Sequence, residues 1–345
     1  MIRFESDYLE GAHPKILEKL AQTNFEQTPG YGMDFHCENA RELIKKACNA
    51  PDAYVQFLVG GTQTNATVIA SILKPYEGAL SPVSGHINAH ETGAVEATGH
   101  KVLPLASDDG KITAKQVLDA YIAHKNDASF EHIVKPGLVY ISQPTENGTL
   151  YSKKELEELR KVCDETGIPL FIDGARCGYG LYAENNDVFL PDLARLADVF
   201  YIGGTKVGAL FGEAVVFSNT AIAENFRYMI KRHGGMLAKG RLLGIQFEVL
   251  FEDGLYFEMS ERAMKLALKI KYALKEMGVE FLYDSPTNQQ FPIFCDEILE
   301  KLKDKYSFSF WCHPGEGYSA VRICTSWATR EEDVDALLND LKQLI

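Results

Sequence analysis

Two short strings carry the strongest chemical signal in the chain, FIDGAR (171–176) and YIGGTK (201–206). Each is an apolar run that ends on an ionisable residue close to where a strand would leave its sheet, Asp173 in one and Lys206 in the other. In open parallel sheets ligands bind outside the carboxyl ends of strands, so both residues are expected at one crevice. Their separation, 206 − 173 = 33 positions, leaves room for one crossover and the next strand. An ammonium directly after an apolar strand and Gly-Gly-Thr is costly unless paired. Desolvation there favours the neutral amine, the nucleophile of Schiff-base chemistry. An aspartate nearby suits a protonated pyridine nitrogen and keeps such a ring electron-poor. A structural Asp–Lys salt bridge at the sheet edge is the plain alternative.

Three further strings add to the pair. GGTQTN (60–65) follows the apolar run YVQFLV and opens a helical pattern. Gly60 and Gly61 let backbone approach a ligand, a helix N-terminus offers free N–H groups to an anion, and Thr62, Gln63 and Thr64 add donors. The string lacks the Gly-Lys-Ser/Thr of a Walker loop, and an ordinary capped turn is its other reading. SGHINAHETGA (84–94) sets His86 and His90 four apart, on one face if helical. That spacing suits metal ligation, but the intervening glutamate of the metalloprotease pattern is missing. It also suits one imidazole stacked on an aromatic cofactor ring with its neighbour in proton transfer, or two structural histidines. Arg322, in the apolar run AVRICTSW, needs a partner: a substrate carboxylate in fork geometry or a buried ion pair.

The elements that must position these residues are legible from the pattern. Seven short apolar runs, at 54–59, 78–83, 101–105, 137–142, 168–173, 198–203 and 213–217, alternate with amphipathic stretches. Continuous rather than alternating hydrophobicity predicts strands covered on both faces, hence a mostly parallel sheet flanked by helices. After residue 220 the texture changes to a helical region at about 221–252, a second helix at about 257–277, the runs VEFLYD, FPIFC, FSFWC and AVRICTS, and a closing helix. The expected fold class is α/β: an N-terminal arm (1–50), a large domain (51–250) and a small C-terminal α+β domain (251–345).

Composition bounds the function. With 46% hydrophobic and 24% charged residues, 345 residues can bury a large core without disulfides or a structural metal. A net charge of −13 disfavours nucleic acid or an anionic membrane as the main partner. The seven cysteines are scattered with no Cys-x-x-Cys, which fits a reduced compartment. The opening MIRFESDYLEG is polar and acidic, unlike a signal peptide, and no apolar run reaches the roughly 18 residues of a membrane span. A cytoplasmic protein is expected.

Taken in order, these strings resemble the β-eliminating lyase and threonine aldolase family of fold type I pyridoxal-phosphate enzymes. ESDYLEGAHP and GYGMDFHCENARELIKKA are similar to the family's Ser-Asp and Tyr-Gly-x-Asp segments, GGTQTN to its phosphate loop, and SGHINAHETGA to the stretch with the ring-stacking histidine. FIDGAR resembles its most specific string, GGTK its segment with the Schiff-base lysine, and AVRICTSWATREED its segment with the carboxylate-binding arginine. The resemblance implies pyridoxal 5'-phosphate held by Gly61, Thr62, Gln63, His86, Asp173, Arg176, Thr205 and Lys206. Asp173 would face the pyridine nitrogen, Arg176 the ring oxygen, and Lys206 would carry the Schiff base. Ser6, Tyr31 and Arg322 are implied on the substrate side, with His86 or His90 near the base and no metal. The sequence departs at HGGMLAKG (233–240), where Leu237 replaces an arginine expected to reach a neighbouring subunit's phosphate, leaving Lys239 or Arg241 as substitutes. His90 stands where an aromatic is more usual.

The implied activity is retro-aldol cleavage of a β-hydroxy-α-amino acid, L-threonine or L-allo-threonine, to glycine and an aldehyde. The implied assembly is a homodimer or homotetramer with the site between subunits. Other readings are β-elimination or racemisation with the same cofactor, a small-molecule-binding protein on a decayed aldolase fold, and a metal hydrolase using His86 and His90.

Overall fold

The computed structural model describes residues 1–345. Seven strands form the central sheet: β1 (Tyr54–Leu58), β2 (Glu77–Pro82), β3 (Lys101–Leu105), β4 (Lys135–Ser142), β5 (Leu170–Asp173), β6 (Val199–Gly203) and β7 (Glu213–Phe217). Their order is β1-β7-β6-β5-β4-β2-β3. Pairs from β6 through β3 are parallel, and β7 alone runs antiparallel to both neighbours. Every residue of β5, β6 and β7 is buried, as continuous apolar runs between two helical layers require. The larger hydrophobic core, including Ile172, Phe200 and Val216, lies on one face of this sheet, and a second, including Phe171, Tyr201 and Val215, lies on the other.

Register brings the site together. Ser142 is paired with Asp173 across β4 and β5, and Gly203 with Glu213 across β6 and β7. These pairs lie at one edge of the sheet, so Asp173 and the Gly204–Lys206 turn emerge side by side. Gly174 is required by this closeness, because a Cβ there would sit 1.9 Å from the Tyr201 carbonyl oxygen.

The small domain contains the strands β8 (Gln289–Gln290), β9 (Ile293–Cys295), β10 (Ser309–Gly315) and β11 (Tyr318–Cys324), with β11 pairing antiparallel to the other three. It packs beside the 22-residue helix Leu255–Glu276 and the helix Glu331–Leu344. Phe4 joins this core, and Ile2–Arg3 forms a parallel pair with Tyr306–Ser307. The helices Pro14–Gln22 and Phe35–Ala47 contribute Ile16, Cys37 and Ile44 to the larger core of the central sheet.

Two expectations differ. The helical region at 221–252 is broken into Phe226–Arg232 and Arg241–Glu252, because Gly234 turns the chain at φ +73°. VEFLYD supplies only an isolated bridge, Phe281 to Pro292, rather than a strand.

Candidate active site

A cleft at the carboxyl edge of the sheet is lined by Gly61, His86, Ser142, Glu146, Asp173, Arg176 and Lys206, among others. Asp173 anchors it. The Tyr201 and Tyr140 hydroxyls donate to its two carboxylate oxygens at 2.5 and 2.6 Å, and Asn65 Nδ2 and the Ala175 amide add bonds at 3.0 Å each. Burial opposes ionisation, but His86 and these donors outweigh it and hold the Asp173 carboxyl below the usual range. Asp173 is therefore a fixed anion in a buried cradle.

His86 starts the short helix His86–Ala89, and His90 closes it. The Nδ1 of His86 pairs with Glu91 Oε1 at 2.7 Å, and Asn65 donates to the same oxygen at 2.8 Å. Burial alone would keep this ring neutral, yet the Glu91 hydrogen bond and the charges of Asp173 and Glu146 raise its pKa above the usual value. His90 moves the other way, lowered by burial and by the charges of His86 and Arg322. Glu146 accepts from Ser142 Oγ at 2.7 Å and from the His86 amide at 3.1 Å; burial and the Asp173 charge raise its pKa.

Lys206 follows β6 in the turn predicted from GGTK. It makes no ion pair with Asp173, which removes the salt-bridge alternative; its Nζ lies 5.8 Å from the Tyr8 ring centroid. Thr205 Oγ1 donates to Glu213 Oε1 at 2.8 Å, and the Gly204 amide donates to Glu213 Oε2 at 3.1 Å. Arg176 grips Asp7 in a fork, Nε to Oδ2 at 2.7 Å and Nη2 to Oδ1 at 3.0 Å. Burial opposes the Asp7 charge, but Arg176 and Lys206 hold its pKa below the ordinary value.

The string expected to cradle an anion forms the N-terminus of the helix Gly61–Ile72. Its first amides have no intrahelical partner, and no side chain caps it. Gly61 abuts the sheet, since a Cβ there would lie 3.2 Å from the Tyr201 hydroxyl. Thr62 is exposed, while Gln63 spans two backbones, accepting from the Val59 amide and donating to the His233 carbonyl. Gln63 is thus occupied in holding the loop.

On the small-domain side Arg322 is not in the ion pair that was one of its readings. It donates to the Glu5 carbonyl at 3.1 Å and to Gln289 Oε1 at 3.3 Å, and its guanidinium carbon lies 5.8 Å from the Trp311 ring centroid. Its Nε is buried without a partner, as is Ser6 Oγ. Tyr31 is not part of this cleft. It lines a separate groove with Tyr54, Arg227, Tyr228 and Lys231. Arg241 donates to the Glu26 and Asn24 carbonyls, whereas Lys239 is exposed.

Sequence reasoning did not single out Asp7, Asn65, Tyr140, Glu146, Tyr201 or Glu213. One signal was present for Glu213, a lone carboxylate opening an apolar strand just after the lysine turn. Asp7 and Asn65 lie inside the strings ESDYLEGAHP and GGTQTN without being picked out, and Tyr140, Glu146 and Tyr201 gain a role only once the strands are aligned.

The sequence profile of the family described as "Beta-eliminating lyase" matches residues 4–296. The chain belongs to that family, and it is a pyridoxal-phosphate lyase of fold type I. It is similar to the solved threonine aldolase of Leishmania major, at 44% identity and a TM-score of 0.96, over 100% of this chain and 99% of that one. It is 29% identical to the low specificity L-threonine aldolase of Pseudomonas sp. (strain NCIMB 10558), over 99% of this chain and 98% of that protein. An aminotransferase from Staphylococcus aureus shares the fold, with a TM-score of 0.72 at 15% identity, over 100% of this chain and 93% of that one.

Proposed function

We propose that the protein cleaves L-threonine or a related β-hydroxy-α-amino acid to glycine and an aldehyde, using pyridoxal 5'-phosphate. The observation that carries this reading is the buried Asp173 anion, fixed by two tyrosines, in one cleft with Lys206, an amine in no ion pair. The threonine aldolase relatives support it.

The residues fit the cofactor. The uncapped helix start at Gly61–Thr62 suits its phosphate. Asp173 suits the pyridine nitrogen, the His86 ring suits stacking, and the Lys206 amine is the group that bonds its aldehyde. Bound there, the cofactor supplies the electron sink for the pair released when Cα–Cβ breaks. Arg322 Nε and Ser6 Oγ, both buried and unpartnered, hold the substrate carboxylate. That clamp fixes rotation about Cα–N and sets the scissile bond for cleavage. His90, its pKa lowered by burial and by the charges of His86 and Arg322, takes the proton from the β-hydroxyl oxygen. His86, its pKa raised by Glu91 and the nearby carboxylates, sustains the charge on Asp173.

The working assembly in this reading is a homodimer or homotetramer in the cytoplasm. No helix is long and apolar enough to cross a membrane. Phe25, Met33, Phe35 and Tyr228 present large apolar surface to solvent, which supports a covering subunit. Tyr31, outside its own cleft, acts on substrate only if the site is shared between protomers. Lys239 is the free cation for a partner's phosphate.

The test is borohydride reduction of the protein after incubation with pyridoxal phosphate, followed by peptide mapping, together with an assay for glycine from L-threonine. A pyridoxyl group on Lys206 and glycine release are expected. Lys206→Ala should lose both. Turnover surviving in Lys206→Ala would remove the central assignment.

A further inference from the structure

Trp311 has no place in the mechanism above, yet it lies against the arginine which that mechanism uses. β10 pairs with β11 so that Phe310 faces Val321 and Cys312 faces Ala320, two steps along one strand for one along the other. Trp311 is the extra residue, a β-bulge, and bulges re-aim side chains. Trp311 and Cys312 together oppose Ala320, which is two residues from Arg322 and shares its face of the sheet. The Arg322 guanidinium carbon lies 5.8 Å from the indole centroid, within cation–π range.

The indole is itself held in place. Phe291, fully buried directly after β8, meets it edge-on with centroids 4.9 Å apart and planes at 73°, and Tyr283 meets it at 6.5 Å and 89°. Two other elements fix the guanidinium, the arm through the Glu5 carbonyl and β8 through Gln289 Oε1. Both acceptors are neutral, so the positive charge is oriented without being neutralised, and Nε stays buried and unpartnered.

We propose that Trp311 is a positioning residue for the substrate carboxylate, its ring holding the Arg322 guanidinium oriented before an α-amino acid arrives. An aromatic face does this where an acidic side chain could not. A carboxylate there would occupy the fork and compete with the incoming ligand, whereas the ring attracts the cation through its face and leaves the N–H edge open. A guanidinium already fixed also loses little rotamer freedom on binding, so more of the contact appears as affinity.

The inference rests on Arg322 binding that carboxylate, and its test separates the two claims. The holoenzymes of wild type, Trp311→Leu, Arg322→Ala and the double variant are titrated with glycine and with ethanolamine, an amine that has no carboxylate. Binding is read from the absorbance of the cofactor. Trp311→Leu should weaken glycine binding and raise the KM for L-threonine by roughly 3- to 30-fold, with kcat little changed and ethanolamine bound as in wild type. Trp311→Phe, which keeps an aromatic face, should recover most of the loss. Beside Arg322→Ala, Trp311→Leu should cost nothing further. Unchanged glycine binding in Trp311→Leu, equal losses for glycine and ethanolamine, or a full additional loss beside Arg322→Ala would each overturn the proposal and leave Trp311 as packing. Unchanged glycine binding in Arg322→Ala would instead sink the carboxylate clamp itself. Should Trp311→Leu not fold, fluorinated tryptophan at position 311 decides, because fluorine keeps the shape of the ring and weakens its negative face. Glycine binding should fall with each added fluorine, and a flat series refutes the proposal.

Discussion

His86 and His90 lie with ring centroids 5.8 Å apart at the two ends of one short helical turn, and their surroundings shift their pKa values in opposite directions. Two titratable groups pushed apart in this way mark an acid–base division of labour. The ring with a glutamate partner holds its proton more tightly; the ring beside Arg322 and the other histidine holds it less tightly.

His90→Phe restores the more usual aromatic and removes the proposed base. It should lower kcat for L-threonine by about 100-fold or more, within the range for lost general-base catalysis. Exchange of the glycine α-proton, which needs no β-hydroxyl base, should persist. The pH profile gives the sign. A base must be neutral, and the His90 pKa is lowered, so the acidic limb of kcat lies below the ordinary histidine value of 6.5. In His90→Phe that limb should vanish; an unchanged limb means that another group takes the proton.

Arg322→Ala should raise KM far more than it lowers the rate of cofactor attachment. The lost contact is charge-assisted, worth about 1.5–3 kcal/mol, or roughly 10- to 150-fold in substrate binding. Arg322→Lys should recover only part of this, because an ammonium cannot present a fork to a carboxylate. Equal KM values in all three proteins would remove the clamp.

Glu213 also predicts a stability signature. Its folded pKa, about 7, stands above the ordinary 4.5, so the folded protein holds a proton that the unfolded chain releases. Its contribution to stability is fully present below pH 4.5 and is lost as pH rises through 7. Glu213→Gln removes this dependence. The stability of the variant minus that of wild type, from urea unfolding, should therefore rise between pH 4.5 and pH 7 by on the order of 3 kcal/mol. A difference that is flat across this window would contradict the raised value.

Which parts were legible follows from where the information resides. All seven strands of the central sheet were readable, because burial on both faces forces continuous apolar runs such as FIDGAR and YIGGTK. Asp173 and Lys206 were readable for the same reason, since an ionisable residue ending such a run stands out. Asp7 was not, because its meaning depends on Arg176, 169 positions away. Glu146 likewise meets His86 only after β2 and β4 are set side by side, whereas Glu91 lies five positions from His86 in the same string. The break in the 221–252 helix was missed because the apolar pattern runs on both sides of a two-glycine turn at 234–235.

The arm at residues 2–7 has a consequence for how the chain is made. Ile2 and Arg3 pair with Tyr306 and Ser307, the Phe4 carbonyl accepts from the Cys324 amide, and the Glu5 carbonyl receives Arg322. Asp7 then joins Arg176 and Asn288. During synthesis this segment leaves the ribosome about 300 residues before most of those partners exist. The sheet bearing Asp173 and Lys206 can assemble first, but the wall that carries Arg322 and Ser6 closes only when the arm docks. In a nascent chain the cleft of Asp173 and Lys206 thus precedes the wall that completes it.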